Sequence, residues 1–330
     1  MSKWKVVVTD YEFGELSFEE TVFEGLDIEL VKGQARTEEE VIELCRDADG
    51  IINQYAPLSE RVIKELNNCK VISRYGVGVN TIHIPSSTEK GICVTNVPDY
   101  SMDEVSDHAL ALIMSIARKV VTLNEYVKKG VWDYKKGIPI RRASAQVVSV
   151  LGFGRIPRRL VAKLIAIGYQ VNVYDPYVPE EAVREAGANP VSLEEAVKTG
   201  DFISVHVPLM DNTKGLIGEK EFAMMKPTAV IINTARGPVI DEQALINALQ
   251  TNQIAGAGLD VVEIEPIPND HPFLKMDNVV INPHAAWYST EAAEEMRTKA
   301  AKNIVEVLDG FYPTYLVNHD VKSKVILKDK

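Results

Sequence analysis

A chain of 330 residues is long enough for two domains of ordinary size. Hydrophobic residues make up 46% and charged residues 25%, the balance of a globular protein with an apolar core and a wet surface. With 36 Lys and Arg against 47 Asp and Glu the formal charge is −11, which excludes a general basic field for nucleic acid or an anionic membrane. Anionic ligands must instead be met by locally placed cations or backbone amides.

No apolar run approaches the roughly 20 residues of a membrane span, and Val6-Val7-Val8 is too short for a signal-peptide core. Cys45, Cys69 and Cys93 are scattered and form no CxxC pair, so neither a disulfide framework nor a metal site is expected. The expected compartment is the reducing cytoplasm.

Short apolar runs at 6–8, 28–31, 51–53, 71–73 and 92–95 predict buried strands. Between them, 37–48 predicts a helix opened by a capping box of Thr37 and Glu40, and 60–66 predicts another. Ser101 and Glu104 form a second box ahead of Val105, Ala109, Leu112, Ile113, Ile116 and Ala117, one apolar stripe on a long helix suited to carry the chain between domains. Residues 130–140, with Trp132, Gly137 and Pro139, read as irregular. A second alternation follows, with strands at 146–151, 170–174, 202–207, 229–233, 256–260 and 279–282. Helices are predicted at 158–167, 193–198, 219–225, 241–249 and 290–308. Such alternation argues for parallel sheets covered on both faces.

Gly152-Phe153-Gly154-Arg155-Ile156-Pro157 follows a strand, opens a helix and precedes a second strand ending at Asp175. This is the setting a dinucleotide fingerprint requires. Gly152 permits the tight turn, Gly154 admits the pyrophosphate, and the helix N-terminus offers it free N–H groups. Asp175 suits ribose hydroxyls and repels a 2′-phosphate, which favours NAD over NADP. Pro157 stands where a third glycine is usual, a position Pro tolerates in a first helical turn.

Three further features follow successive strands. Asn233-Thr234-Ala235-Arg236-Gly237 delivers an arginine fork into a turn. Asp260, Glu263 and Glu265 crowd the next strand end, and His284 follows the last strand. Histidine is the natural proton donor for a carbonyl–alcohol interconversion near neutral pH, and a neighbouring carboxylate would orient it. Arg236, Glu265 and His284 thus form a coherent hydride-transfer set of carboxylate anchor, orienting acid and general acid/base. His206 ends a strand but precedes Pro208 and suits the adenine side of a cofactor. His83, His108, His271 and His319 read as ordinary polar residues.

At these residues the chain resembles the D-isomer-specific 2-hydroxyacid dehydrogenases, through Arg74-Tyr75-Gly76-Val77-Gly78-Val79-Asn80, Asn96-Val97-Pro98, Gly152-Phe153-Gly154-Arg155-Ile156, His206-Val207-Pro208, Asn233-Thr234-Ala235-Arg236-Gly237 and Pro283-His284. Pro283-His284-Ala285-Ala286-Trp287-Tyr288-Ser289 is most similar to the C-terminal-binding-protein-like branch. The resemblance implies Arg236, Glu265 and His284 as catalytic residues. It implies Arg74 and the amides of Val77 and Gly78 as the hold on the substrate carboxylate, with Trp287 against the side chain. Cofactor contacts implied are Ser106, Gly152, Gly154, Arg155, Ile156, Asp175, Val207, Pro208, Thr234, Ala235 and Asp260, with NAD as cofactor and a homodimer formed through the nucleotide domain.

The implied fold is α/β, with two Rossmann-like or flavodoxin-like parallel-sheet domains and the active cleft between them. A discontinuous substrate domain would comprise 1–101 and 290–330, and the NAD domain 102–289. Asn80 departs from an acid common in the family. Alternative functions are an NAD(H)-sensing interaction protein or a dehydrogenase of a small inorganic anion such as phosphite.

Overall fold

The structure is a computed structural model that describes residues 4–330. The chain divides into two compact units, one running up to Ser101 and resuming at Ser289–Lys330, the other Met102–Tyr288.

The first unit holds strands β1 (Trp4–Val8), β2 (Ile28–Lys32), β3 (Gly50–Asn53), β4 (Val71–Arg74) and β5 (Cys93–Thr95), all parallel, in the order β2-β1-β3-β4-β5. Val7, Ile51, Ile72 and Val94 pack into an apolar layer with Val41, Ile42, Val62 and Ile63 from two helices. The first of these helices, Glu38–Cys45, has the expected capping box. Thr37 accepts from the Glu40 N–H, and the Glu40 carboxylate accepts from the Thr37 N–H.

The second unit holds β6 (Val147–Leu151), β7 (Gln170–Tyr174), β8 (Asn189–Pro190), β9 (Phe202–Val205), β10 (Val230–Asn233), β11 (Gly256–Leu259) and β12 (Val279–Ile281), again all parallel, in the order β12-β11-β10-β9-β6-β7-β8. The strand order reverses at β6, which lies between β9 and β7. A ligand crevice therefore opens at the carboxyl ends of β6 and β9. Alternate side chains of β6 feed two cores. Val148 and Val150 join Ile113, Leu160 and Leu164 on one face, while Leu151 joins Val205, Ile231 and Phe222 on the other. Each fully buried aliphatic side chain contributes roughly 1.5–3 kcal/mol of transfer free energy, so the sheet is held from both sides.

The helix Met102–Ala117 buries Val105, Ala109, Leu112 and Ile113, as the stripe predicts. The helix after β6 runs Arg155–Ile167, three residues longer at its start than expected, with Pro157 buried in its first turn. Helices Ser17–Phe23, Ile84–Glu89, Val120–Lys128 and Glu180–Glu185, and strand β8, lie outside the expected elements. Ser17–Phe23 packs against Thr290–Leu308 and buries Glu19 along with Phe23. Val120–Lys128 buries nothing, so it shows no inward face. No helix among the described residues is long and apolar enough to cross a membrane.

Candidate active site

The parallel second sheet places the ends of β6, β9, β10, β11 and β12 along one edge, and the predicted residues follow those ends. After β6, Gly152 adopts φ +98°, and a Cβ there would lie 3.1 Å from the His206 carbonyl group. Only glycine fits both the turn and this close approach. Around Gly154, by contrast, a Cβ would meet nothing within 4 Å. Gly154 caps the Arg155–Ile167 helix with no side-chain hydrogen bond, so the first-turn amides and the positive end of the helix dipole are open to an anion. Arg155 is exposed at this mouth and Ile156 half-buried.

Asp175 stands just beyond β7. Its Oδ2 accepts the Phe153 N–H at 2.8 Å, and its Oδ1 accepts the N–H groups of Tyr177 and Val178 at 2.9 and 3.2 Å. Three of about four lone-pair sites are thus committed to the backbone. The carboxylate braces the glycine turn as well as closing it with negative charge. At the end of β10, the buried Thr234 hydroxyl has no partner among the described residues. An uncapped helix start, an acid at the end of the second strand and an orphaned hydroxyl together fit a dinucleotide along this edge.

Beyond Thr234, the buried Asn233 side chain staples the turn. Its Oδ1 accepts the Ala235 N–H at 2.9 Å and its Nδ2 donates to the Arg236 carbonyl at 3.0 Å. The half-buried Arg236 guanidinium donates from Nη1 to the Ala235 carbonyl at 2.6 Å. A Cβ on Gly237 would sit 2.0 Å from the Val262 carbonyl oxygen, so glycine is what lets the loop after β11 lie against the Arg236 turn. That loop delivers Glu265, whose Oε1 accepts the Val262 N–H at 3.2 Å.

Glu265 Oε2 lies 2.6 Å from Nδ1 of His284. Burial opposes the Glu265 charge, but the His284 hydrogen bond and charge, the Val262 N–H and the Arg236 guanidinium outweigh it and leave the carboxyl below its ordinary value. His284 holds a left-handed backbone, φ 52°, rare for a residue with a Cβ. Asp260 sustains it: its carbonyl accepts the His284 N–H at 2.8 Å, and its two carboxylate oxygens accept the Ala285 and Ala286 N–H groups, each at 2.9 Å. Asp260 is fully buried, and burial pushes its carboxyl up against the pull of those amides and of His108 and His284. His108 Nε2 lies 3.5 Å from Asp260 Oδ1.

His206 is held differently. Nε2 meets the Ser204 hydroxyl at 2.7 Å, and burial pushes the imidazole down to about 4. It is therefore neutral near pH 7 and unsuited to donate a proton there. Val207 beside it is buried, and the Pro208 carbonyl accepts the Thr213 hydroxyl at 2.6 Å. Trp287 is half-buried, edge-on to Tyr288 with ring centroids 5.5 Å apart. The Ser106 hydroxyl donates to the Asp103 carbonyl and accepts at 2.6 Å from Lys163, on the helix that the glycine turn opens.

In the first unit, Arg74 ends β4 and its guanidinium lies beside the next turn, 2.3 Å from where a Cβ on Gly76 would be. The turn is fixed through its carbonyls. Val97 N–H donates to Gly76 and the Asn96 side chain to Val77, at 2.9 and 2.7 Å. Among the described residues, the N–H groups of Val77 and Gly78 make no hydrogen bond within the protein. Val77 is exposed.

Sequence reasoning overlooked the residues that hold this scaffold. Asn233 reads as a strand end, and His108 and His271 as ordinary polar residues. Yet Asn233 fixes the Arg236 turn, and His108 approaches the Asp260 anchor. His271 meets Glu242 at 3.1 Å, while Glu242 accepts the Glu263 N–H at 2.8 Å. The partners of His108 and His271 lie 152 and 29 residues away in sequence, so no local pattern marks them, while the Asn233 staple shows only once the turn is folded.

Comparison with known proteins gives the family. The model for the D-isomer specific 2-hydroxyacid dehydrogenase NAD binding domain matches residues 110–286. A glyoxylate reductase of Korarchaeum cryptofilum is 36% identical over 304 residues, 90% of this chain and 91% of that protein. A D-3-phosphoglycerate dehydrogenase of Methanocaldococcus jannaschii is 38% identical over 88% of this chain but only 55% of its own length. The crystal structure of D-lactate dehydrogenase from Aquifex aeolicus, with NAD and lactic acid, superposes with a TM-score of 0.85 at 30% identity, covering 92% of this chain and 96% of that one. The chain belongs to the D-isomer specific 2-hydroxyacid dehydrogenase family. It is an NAD-dependent oxidoreductase of the D-2-hydroxyacid type, with its NAD-binding domain in the second unit.

Proposed function

We propose that the chain interconverts a small 2-oxo acid and the matching D-2-hydroxy acid, with Arg236, Glu265 and His284 as its working groups. The observation that carries this reading is the 2.6 Å contact between His284 Nδ1 and Glu265 Oε2, on a loop packed against the Arg236 turn. When bound, the reduced dinucleotide supplies hydride to C2 of the substrate. Protonated His284 donates from Nε2 to the oxygen that gains charge, and Glu265 keeps the ring oriented and stabilises its cationic form. Arg236 offers its fork to the substrate carboxylate and the C2 oxygen. The carboxylate is received by the Val77 and Gly78 amides beside Arg74. Oxidation reverses each step.

Cofactor binding in this reading falls to Gly152, Gly154, Arg155 and Ile156 at the pyrophosphate and to Asp175 at the ribose. Ser106, Val207, Pro208, Thr234, Ala235 and Asp260 complete the set. Trp287 offers packing rather than charge, which favours an apolar substrate side chain. A homodimer through the NAD-binding unit belongs to the same reading. Its support is the helix Val120–Lys128, which buries no residue, and the run behind it, where Trp132 is 89% and Tyr134 75% exposed. A cytoplasmic location fits three free thiols, of which Cys45 is raised by burial to about 12 and Cys93 to about 11.

NADH oxidation across glyoxylate, hydroxypyruvate, phosphohydroxypyruvate and bulkier 2-oxo acids tests the reading. Turnover of at least one, lost in His284→Ala, is the expected result. Turnover of phosphite with none of the 2-oxo acids would replace it with the inorganic-anion alternative.

A further inference from the structure

Tyr75 stands between Arg74 and the turn that offers the Val77 and Gly78 amides, yet its own hydroxyl is directed elsewhere. It donates to Glu19 Oε1 at 2.7 Å. Glu19 is fully buried on the helix Ser17–Phe23 and is gripped by Arg297 of the helix Thr290–Leu308, Nε to Oε1 at 2.8 Å and Nη2 to Oε2 at 2.6 Å. Arg297 Nη2 also donates to the Glu15 carbonyl at 2.5 Å. The rings of Phe13 and Phe18 each lie 4.7 Å from its guanidinium carbon, and Phe13 meets Tyr75 edge-on at 5.5 Å. The Tyr75 phenol is held well above its ordinary value, by burial first and by Glu19 next, so it stays a donor.

A second line runs from the same helix to the same turn. Asn303 Nδ2 donates to the Asn96 carbonyl at 3.2 Å, and the Asn96 side chain donates to the Val77 carbonyl at 2.7 Å. Arg297 and Asn303 lie six residues apart, about 9 Å along the helix. The turn is thus tied from both sides, at Tyr75 and at Val77, to one long helix. A buried ion pair is a poor means to stability alone, because desolvation offsets much of its attraction. What a bidentate, ring-clamped guanidinium does supply is a fixed position for its partner.

We infer that Glu19 and Arg297, acting through the Tyr75 hydroxyl, and Asn303, acting through Asn96, are positioning residues that set the Val77 and Gly78 amides for the substrate carboxylate. The inference rests on the carboxylate role proposed for that turn.

Tyr75→Phe is the test, because it keeps the ring against Phe13 and deletes only the hydroxyl. KM for the preferred 2-oxo acid, and Ki for oxamate as a carboxylate probe, should rise roughly three- to tenfold, the scale of one hydrogen bond to a charged chain of partners. Maximal rate and KM for NADH should stay within about twofold. Asn96→Ala, at an exposed bond, should give the same split and serves if Tyr75→Phe fails to fold. An unchanged KM for the 2-oxo acid overturns the inference. So does a general loss in which KM for NADH moves equally, since that reports structural weakening alone. Arg74→Gln separates the two layers. If it raises KM for the 2-oxo acid while Tyr75→Phe does not, the positioning chain falls and the carboxylate turn stands. If neither variant moves KM, the carboxylate role itself is wrong.

Discussion

Glu265 Oε2 lies 2.6 Å from His284 Nδ1, which leaves Nε2 for the proton transfer proposed above. Glu265→Gln keeps the shape and one hydrogen bond but removes the charge that favours imidazolium. The rate of 2-oxo acid reduction should drop about 10- to 100-fold. A rate equal to that of the unaltered enzyme would remove Glu265 from the mechanism.

His284→Asn should abolish proton transfer while tolerating the left-handed backbone, which asparagine adopts more readily than most residues. The expected loss in kcat is about 10²- to 10⁴-fold with NADH affinity, read by fluorescence titration, nearly unchanged. Turnover within tenfold of the original would assign the proton to another group.

Arg236→Lys retains charge and loses the planar fork. We expect kcat/KM for the 2-oxo acid to fall by at least about tenfold, whereas NADH binding holds. Equal activity would mean that Arg236 serves only the turn stapled by Asn233.

Asp175 has two duties, bracing the Phe153 amide and presenting negative charge beyond the glycine turn. Asp175→Ala should weaken NADH binding, improve NADPH relative to NADH, and lower Tm through the loosened turn. An unaltered ratio of the two cofactors would confine the carboxylate to its bracing role.

His206 predicts an acid-sensitive component of stability. Its pKa is about 4 when folded and near 6.5 when unfolded, so the unfolded chain binds the extra proton between those values. The stability it contributes is complete above pH 6.5 and is lost progressively toward pH 4, by no more than about 3 kcal/mol. Denaturant melts of the unaltered protein and His206→Gln at pH 7.5 and 5 should therefore diverge less at pH 5. Parallel curves at both pH values would contradict the buried, neutral state.

Much of the NAD-binding unit is legible in the sequence because its signals are local. Gly152, Gly154, Asp175, Arg236 and His284 each follow an apolar run, and a parallel sheet lines up whatever follows its strands. Thr37 and Glu40 announce a helix start across three residues. What escapes notice depends on distant pairing. Helix Ser17–Phe23 hides because one of its two inward residues is Glu19, acceptable there only once Arg297 is opposite. Asp260 stands out in the sequence as a cofactor contact, but its bracing of the 284–286 loop shows only in the hydrogen bonds, and the nearby Asn233 staple only once the 234–236 turn is folded.

The split ancestry of the first unit bears on how the molecule matures. Residues 102–288 form one uninterrupted stretch and can complete their sheet while synthesis is still under way. Glu19 waits 278 residues for its guanidinium counterpart. A nascent chain stalled before residue 297 would carry a bare carboxylate in a half-built apolar layer. The first unit thus cannot close its Glu19–Arg297 pair until the whole of the second has been made.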